Sequence, residues 1–539
     1  MKFRKSGKSA FLTGLIFVST AILPLFNHAY AAEHSGSLKS VRNTIYVNQD
    51  ITIAENDSMI IEPGTVVMFM GHYSIHVQGK LLALGTETDS IVFTVADTTG
   101  FHDFYSGSGG WNGLRFEDTP ASNDSSLLAY CRFEFGKAVG DSATSYGGAI
   151  RLLRFNKLRI SHCSFENNFA YLWGGAVHAL KSSILVEHCS FIQNRSGSDH
   201  PEIWGYGGGM SFVSSEPTIR FCDFTSNIST GTGGGIMFEY SNPEMINCIF
   251  AGNHSALGGG LSFVRSQPDR TIANILVYNN TAIFFGGGIS NLTGSPVLSN
   301  FTITGNYAPM GGGYYCNEYA NPKLFNSILW GNTSGDGSSN IGSQIWIWNV
   351  SSAPGFYNCN IQFGYDSIYG YDFVNAYENN IDADPLFTDP EAYDFSLQQY
   401  SPCINAGSID VSGLSLPDFD LAMKPRIIHN IIDMGAYEYD GPLGIRTSEK
   451  KDFRISIGPN PVNEHSVVHF SGFQEEEIRF VVRNMHGSVV GSATYKAGST
   501  GSHSVELNKL IQLSGLPAGV YLLEASRTND THVSKFIHF

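Results

Sequence analysis

RISHCSFENNFAYLWGGAVHALKSSILVEHCSFIQN, residues 159–194, contains one pattern twice. Cys-Ser-Phe-x-x-Asn begins at Cys163 and again at Cys189, 26 residues later, and a glycine pair at 174–175 lies between the two copies. A repeat this regular indicates a structural unit that is built over and over along the chain.

The same unit continues through most of the chain. A large apolar residue, two variable residues and Asn recur at Asn168, Asn194, Asn227, Asn253, Asn280, Asn306 and Asn332, at intervals of 26, 33, 26, 27, 26 and 26 residues. Glycine clusters alternate with these segments at residues 147–148, 174–175, 207–209, 233–235, 258–260, 286–288 and 311–313. The 33-residue interval carries an insertion around Ser196 to Trp204.

Alignment on the Asn positions produces three apolar columns at alternate positions, which predict strands with one apolar face. One column is Ile160, Val186, Ile219, Met245, Ile272, Leu298 and Leu324, and a second is Cys163, Cys189, Cys222, Cys248, Ile275, Phe301 and Ser327. The third is the apolar residue that opens each Asn segment. A unit this short cannot bury its apolar face alone, so successive coils must stack in register and form parallel sheets, with right-handed crossovers. The sequence predicts an all-β protein, a right-handed parallel β-helix.

The repeated polar residues have two interpretations. Metal or glycan ligation is one. The other, which we favour, assigns the Asn columns, including a partial one at Asn247, Asn274, Asn300 and Asn326, to buried ladders at the turns, and the glycines to backbone bends. The column of Cys131, Cys163, Cys189, Cys222 and Cys248 continues as Ile275 and Phe301, so buried free thiols are favoured over disulfides.

About eleven coils are expected over residues 45–350, less regular over 33–130 and regular over 131–350. The glycine pairs and Phe-x-x-Asn segments resemble the repeats of chlamydial polymorphic outer-membrane proteins and of other bacterial surface β-helices. That resemblance implies the fold and a surface location. Such helices serve adhesins, polysaccharide lyases and glycosidases alike, so it implies no single activity.

The N-terminus has the features of an export signal. Lys2, Arg4, Lys5 and Lys8 precede an apolar run, and small residues end the segment near Ala32, so residues 1–32 are expected to be removed. Removal leaves 28 Lys and Arg against 48 Asp and Glu, a charge of −20. This charge argues against nucleic acid as a partner, and the lack of a second apolar span argues against an integral membrane protein.

After residue 350 the repeat stops, and residues 351–440 are expected to close the helix. Four carboxylates in this segment, Asp418, Asp420, Asp433 and Glu438, form a possible structural Ca²⁺ site, although turn-forming and surface roles are favoured and no other cofactor is expected. Residues 441–452 are expected to be a linker.

Residues 453–539 alternate apolar and polar positions. Gly458-Pro459-Asn460-Pro461, Met485-His486-Gly487 and the Leu-Pro-Ala-Gly-Val-Tyr-Leu run at 516–522 occur in that order. The combination resembles the type A sorting domain of type IX secretion. This resemblance implies a small β-sandwich, the type IX machinery as a partner and passage across the outer membrane. It also implies removal of the domain, with the passenger released or attached to surface lipopolysaccharide.

Candidate binding residues lie on the predicted outward positions after each glycine cluster. Two steps past the cluster the column is Arg151, His178, Ser211, Met237, Ser262, Ser290 and Tyr315, continuing to Trp346; five steps past, it is Arg154, Lys181, Ser214, Tyr240, Arg265, Thr293 and Glu318. Arg151, Arg154, His178 and Lys181 form a cationic patch suited to an acidic polysaccharide, with no outward carboxylate expected beside it.

Two further candidates are aromatic. Tyr315, Trp346 and Trp348 would form a sugar-stacking strip near the end of the helix, or would pack under the closing segment. Trp204 stands in the inserted loop, together with Asp199, His200 and Glu202.

The sequence therefore predicts a secreted or surface-located β-helix that adheres or binds glycans without catalysis. The alternative is a lyase for acidic polysaccharides that uses Lys181, Arg154 and His178. Glycosidase chemistry is disfavoured because the outward columns contain no two carboxyl side chains close enough together to act as a catalytic pair. A purely structural spacer is a third possibility.

Overall fold

The computed structural model describes residues 44–140, 144–200, 202–335, 337–429, 431–442, 454–471, 477–484, 488–496, 502–527 and 530–539. The chain divides into two compact units, Met1–Leu443 and Gly444–Phe539. The export signal, most of the linker and Met485-His486-Gly487 lie outside the described residues.

Three parallel sheets run the length of the first unit. Sheet 1 is formed by the strands that follow the glycine clusters and their counterparts in the opening coils. Its strands, eleven over the described part of the chain, are Ile51–Ile53, Ile75–Val77, Leu114–Phe116, Ile150–Leu153, Val177–Leu180, Met210–Val213, Ile236–Glu239, Leu261–Val264, Ile289–Leu292, Tyr314–Asn317 and Ile345–Ile347. One strand per coil agrees with the expected coil number.

Sheet 2 receives two strand segments from most coils, separated by a bend. Its strands are Ile45–Val47, Ser58–Ile61, Val66–Phe69, Lys80–Leu84, Ile91–Val95, Ser126–Ala129, Cys131–Glu134, Leu158–Ser161, Ser164–Glu166, Leu185–Glu187, Ser190–Ile192, Thr218–Arg220, Asp223–Thr225, Glu244–Ala251, Ile272–Tyr278, Val297–Thr304, Lys323–Phe325, Ile328–Trp330, Gly355–Tyr357, Asn360–Ile361 and Ala376–Glu378. From Tyr130 onward each bend is made by one residue with positive φ, such as His162 at +52° and Asn274 at +57°. We call this row of bend residues the corner row.

Sheet 3 is made of short strands that follow the Asn segments. They are Lys137–Ala138, Phe169–Ala170, Arg195–Ser196, Ile228–Ser229, His254–Leu257, Thr281–Phe285, Tyr307–Ala308 and Thr333–Ser334. Every strand pair of the three sheets is parallel, so each coil lies directly on the coil before it.

The core follows the columns that the sequence predicts. Phe165 pairs with Phe191 and Phe191 with Phe224, and both ring pairs stack with centroids 4.7 Å apart. Cys163, Cys189, Cys222 and Cys248 are buried free thiols, and burial raises the pKa of Cys163, Cys189 and Cys222. The cysteines therefore fill space, as expected.

The main Asn column is a buried hydrogen-bonded ladder. The side-chain amide of Asn253 donates to the side-chain oxygen of Asn280, 2.9 Å away, and to the carbonyl of Phe224, 2.8 Å away. Its own oxygen accepts from the backbone and the side chain of Asn227. Equivalent bonds continue to Asn332, where Gln344 ends the ladder. The interpretation of this column as scaffold is confirmed.

Residues after 350 form the last turns and then a closing segment. The elements are the 3-10 helices Tyr365–Ser367, Tyr371–Phe373 and Pro390–Ala392 and an antiparallel pair of strands, Phe387–Asp389 and Asp394–Leu397. Phe387, Phe395, Leu397 and Met434 pack with Leu276 and Ile328, whose side chains leave the outer face of sheet 2. The closing segment therefore covers part of that face.

The second unit is a small antiparallel β-sandwich, as the sequence predicts. One sheet is Arg454–Gly458, Val467–Ser471 and Ser502–Glu506; the other is Val489–Lys496, Glu477–Asn484, Gly519–Arg527 and Asp530–His538. A helix, Leu507–Leu510, and a 3-10 turn, Leu513–Gly515, follow the first sheet. Phe470, Phe480, Val482, Leu523 and Phe536 are among the residues of its own core.

Candidate functional site

The predicted column two steps past each glycine cluster exists, but much of it is buried. Arg151, His178 and Ser211 are in register on neighbouring strands of sheet 1, and the register continues to Tyr315 and Trp346. His178 is only 3% exposed and Tyr315 only 2%. The expectation that this column faces solvent is therefore wrong for both residues.

The glycine clusters are the cause of this burial. Gly174 has φ +65°, and a Cβ atom built on it would lie 2.9 Å from the backbone nitrogen of His178. The glycine backbone thus folds directly over the column. The residue before the cluster adds a ring on top, since Trp173 and Tyr146 lie 5.9 and 5.1 Å from the His178 ring. Glycine is required here for close approach as well as for the bend.

The cationic patch also loses two of its four members. Burial and the nearby Arg151 lower the pKa of His178 to about 3, and its Nδ1 lies 2.8 Å from the Ser211 hydroxyl. His178 is therefore neutral at pH 7. Arg151 pairs with Glu117 at 3.0 Å, so an outward carboxylate does lie beside the patch, contrary to the expectation.

Arg154 and Lys181 are exposed, as predicted for the column five steps past the glycines. Both have positive φ, +57° and +51°, because they make the bend between sheets 1 and 2. The backbone nitrogen of Arg154 donates to the carbonyl of Leu180, which places the two residues on adjacent coils. The exposed cations of this column therefore lie on a ridge of the helix.

Two cations that the sequence reasoning did not single out adjoin this ridge. Lys157 and Arg159 line a shallow groove of about 410 Å³ on the outer face of sheet 2, together with Asn156, Ser183 and Thr218. Lys157 donates to the carbonyl of Asn123. Arg154, Lys157 and Arg159 lie within six consecutive positions of one coil, so this concentration of cations is visible in the sequence. We call Arg154, Lys157, Arg159 and Lys181 the basic ridge.

Most cations of the basic ridge are not neutralised by a neighbouring carboxylate. Arg154, Arg159 and Lys181 have no ion pair with any residue that the structure describes. Of the acids bordering the groove, Asp124 pairs with Lys80 at 3.2 Å, and Glu216 lies at the far side. Three unpaired cations on adjacent coils are unusual on a chain whose formal charge is −16.

The aromatic strip near the end of the helix is largely covered. Tyr315 stacks under Phe285 with ring centroids 4.7 Å apart, and Trp346 stacks on Tyr369 of the segment after residue 350 at 3.8 Å. Trp348 is 46% exposed. Of the two interpretations, packing under later residues applies to Trp346, and Trp348 remains accessible. Trp204 of the inserted loop is 41% exposed.

The four proposed Ca²⁺ ligands do not converge on a common point. Asp418 is exposed. Asp420 and Asp433 are buried and accept hydrogen bonds from backbone N–H groups, Asp420 from Lys424 and Glu438 and Asp433 from Asn405 and Tyr439. Glu438 forms a buried ion pair with Arg426. Within the described ranges no group of three or more His, Cys, Asp or Glu side chains is placed to hold a metal ion.

A further surface was missed by the sequence reasoning. Tyr130, His162, His188 and Phe221 occupy the corner row on successive coils, and their rings stack at 4.6 to 4.8 Å. They border a groove of about 470 Å³ that also includes Ser164, Ser190 and Asp223. The only signal in the sequence was their shared position directly before each cysteine.

Comparison with known families agrees with this geometry. Residues 142–361 match the family model described as the right-handed beta helix region. The chain is a right-handed β-helix protein. Residues 456–538 match the family model of the secretion system C-terminal sorting domain, so the β-sandwich of this β-helix protein is a type IX sorting domain.

The sorting domain directs the β-helix protein to the cell surface or beyond and requires the secretion machinery as its partner. No curated protein matches the chain. None of the helices in the described residues is long and apolar enough to cross a membrane.

Proposed function

We propose that this exported β-helix protein adheres to or binds acidic polysaccharide, without cleaving it, at the basic ridge. The observation that carries the proposal is the set of exposed, unpaired cations on two adjacent coils of an acidic chain. Guanidinium and ammonium groups form charge-assisted hydrogen bonds with carboxylate and sulfate groups. Asn156, Ser183 and Thr218 add neutral hydrogen-bonding groups for sugar hydroxyls.

The geometry also supports a polymer as the ligand. Stacked coils repeat at roughly 4.8 Å, so the groove beside the basic ridge runs across several coils at a steady pitch. Asp124 lines one end of it, and Thr218, three coils further along, lines the other. An open groove of this kind accommodates a chain whose ends project beyond it. Trp348 and Trp204 are exposed aromatic side chains elsewhere on the helix, and each offers a separate place for sugar stacking.

The lyase alternative receives less support. His178 is buried and has a pKa of about 3, so it does not exchange protons with a bound sugar at neutral pH. Arginine remains protonated in proteins. Of the three proposed catalytic residues, only the exposed Lys181 remains as a candidate base.

Binding of the mature chain to polygalacturonate, alginate and hyaluronan, measured by isothermal titration, tests the proposal. Lys181→Ala and Arg154→Ala should each weaken binding about threefold to tenfold, the range expected for one exposed charge contact. Affinity should also fall as salt rises. Arg265→Ala is the matched control, because Arg265 lies in the same column at positive φ but is paired with Glu239 at 3.1 Å. This control should retain wild-type affinity.

Absorbance at the wavelength of unsaturated uronates distinguishes the alternatives in the same samples. Turnover that disappears in Lys181→Ala would establish the lyase and overturn binding without cleavage. Absence of binding to all acidic polymers would support a spacer and contradict the proposal. Equal loss in Arg265→Ala would show general electrostatic attraction rather than a site.

A further inference from the structure

The closing segment lies along one half of the corner row. The side-chain amide of Asn247 donates to the carbonyl of Asp420 at 2.6 Å, and that of Asn274 donates to the carbonyl of Phe419 at 2.7 Å. Asn300 donates to the carbonyl of Asp433 at 3.0 Å. Asn326 instead accepts from the backbone nitrogen of Ser408 at 2.7 Å. The second Asn column is therefore a row of side-chain amides that holds a polypeptide backbone against the outside of the helix.

The row two positions further along each coil completes this contact. In the covered half its members are Ile249, Leu276, Thr302 and Ile328. Leu276 and Ile328 are buried against the closing segment, and the Thr302 hydroxyl accepts a hydrogen bond from the backbone nitrogen of Ala436 at 3.0 Å. The groove between the two rows thus binds main chain through amides and hydroxyls, and side chains through apolar contact.

The same groove continues, uncovered, over the four preceding coils. Its corner row is Tyr130, His162, His188 and Phe221, and the matching row is Arg132, Ser164, Ser190 and Asp223. His162, His188, Arg132 and Asp223 are exposed. The apolar residues of the covered half are thus replaced by polar ones, in agreement with solvent exposure in the free protein.

We propose that this open half of the groove binds an extended polypeptide segment with cationic side chains. Imidazole N–H groups and the Tyr130 hydroxyl stand where asparagine amides hold the closing segment, and the hydroxyls of Ser164 and Ser190 stand in the row of Thr302. An extended backbone offers the carbonyl and N–H groups that such rows bind. The covered half is the internal precedent for this mode of binding.

The charged side chains of the open groove indicate which charge its partner carries. Glu87 and Asp223 border the groove, and neither has an ion pair among the residues described. Arg132 is paired with Glu134 at 2.7 Å. The unpaired charges of the groove are therefore negative, which favours lysine or arginine in the partner.

The ring geometry favours a peptide over a glycan. His162 and His188 lie 4.8 Å apart with their planes 15° apart, and His188 and Phe221 lie 4.7 Å apart with their planes 5° apart. The ring faces contact each other, so ring edges border the groove. Sugar stacking requires an exposed face.

The test uses the mature chain and a fluorescent decamer of alternating lysine and threonine, which is extended and places every second side chain on one side. Fluorescence anisotropy at low salt should show binding, and an alternating glutamate–threonine decamer should not bind. Asp223→Asn should weaken binding at least fivefold, and His188→Ala at least threefold. Lys181→Ala should have no effect, since this site is separate from the basic ridge.

Glu55→Gln is the matched control for charge, because Glu55 is exposed and lies on the opening coils. Equal weakening by Glu55→Gln and Asp223→Asn would reduce the effect to the net charge of the protein and overturn the proposal. Wild-type affinity in both Asp223→Asn and His188→Ala would also overturn it, provided that circular dichroism shows both variants folded. Displacement of the decamer by a neutral glucan oligomer would assign the groove to carbohydrate instead.

Discussion

His178 shows how a single side chain responds to its place in the coil. The position alternates with buried residues, yet the glycine backbone and Trp173 cover it, so the imidazole stays neutral with a pKa of about 3. In the unfolded chain the same group titrates near its ordinary value of 6.5. Between these two pH values the unfolded state accepts a proton that the folded state excludes. Acid therefore favours unfolding through this residue.

The expected loss follows from the sign of that shift. The contribution of His178 is fully present above pH 6.5 and is lost as the pH falls toward 3. At pH 5 the loss amounts to about 2 kcal/mol, from 1.4 kcal/mol per pH unit below 6.5. Urea unfolding of wild type and His178→Gln at pH 7.5 and 5.0 measures it, because glutamine has no proton to gain there.

Wild type should lose about 2 kcal/mol more than His178→Gln between the two pH values. Other groups that titrate are common to both proteins, so they cancel in the difference. Identical pH dependence of the two proteins would contradict the assignment of a buried, neutral imidazole.

At the scale of the coil, the Asn ladder joins the turn of each coil to the equivalent turn of the next coil. Asn253→Ala removes the groups that bind Asn227, Asn280 and the carbonyl of Phe224, and it leaves buried donors and acceptors without partners. We expect the free energy of unfolding to fall by about 3 kcal/mol. The midpoint of urea unfolding, followed by circular dichroism, checks this.

Ser226→Ala is the control on the neighbouring coil. Ser226 is exposed and has φ +55°, and it directly precedes the buried Asn227. Alanine at this position would have the same backbone strain as the native serine, and no buried hydrogen bond would be lost. Its effect should stay within about 0.5 kcal/mol. An equally small effect of Asn253→Ala would mean that the ladder does not stabilise the stack.

The register of the coils was predictable because it depends on spacing alone. Asn at a fixed interval brings Phe165 over Phe191 and Cys163 over Cys189, and the structure has both. Burial of the outer face was not predictable in this way. His178 and Ser164 both alternate with core residues, yet the first is covered by a glycine segment and the second is not. Which segment folds over which face depends on tertiary packing, and the interval between repeats carries no information about it.

The same limit applies to the site. Arg154 and Lys181 were found because they lie at a fixed distance along the chain from the glycine clusters, and in the structure that distance ends at a bend where side chains point outward. The Arg151–Glu117 pair was missed because Glu117 belongs to an opening coil with no regular repeat to align. The stacked rings of the corner row were missed because their partners, the asparagines under the closing segment, acquire a role only through residues 419–435.

At the scale of the whole molecule, the β-helix and the sorting domain belong to two compact units. Removing residues 444–539 takes away the sorting domain and leaves the β-helix with its own core. In a bacterium with type IX secretion, the truncated chain should accumulate in the periplasm with its β-sheet circular dichroism intact. Immunoblots of the periplasm, cell surface and medium compare it with the intact chain. Equal delivery of both chains would contradict the assignment of the sorting domain.

The hydrogen bonds between the closing segment and the corner row also restrict how the β-helix can change in length. Residues 406–420 contact Asn358, Asn326, Asn274 and Asn247 in that order, and residues 433–435 return to Asn300 and Asn326. A coil duplicated between those positions would displace every later contact by roughly 4.8 Å. A coil duplicated before Asn247 would leave all of them in place, and it would lengthen the open groove by one rung. The number of coils is thus free to vary at one end of the solenoid and fixed at the other.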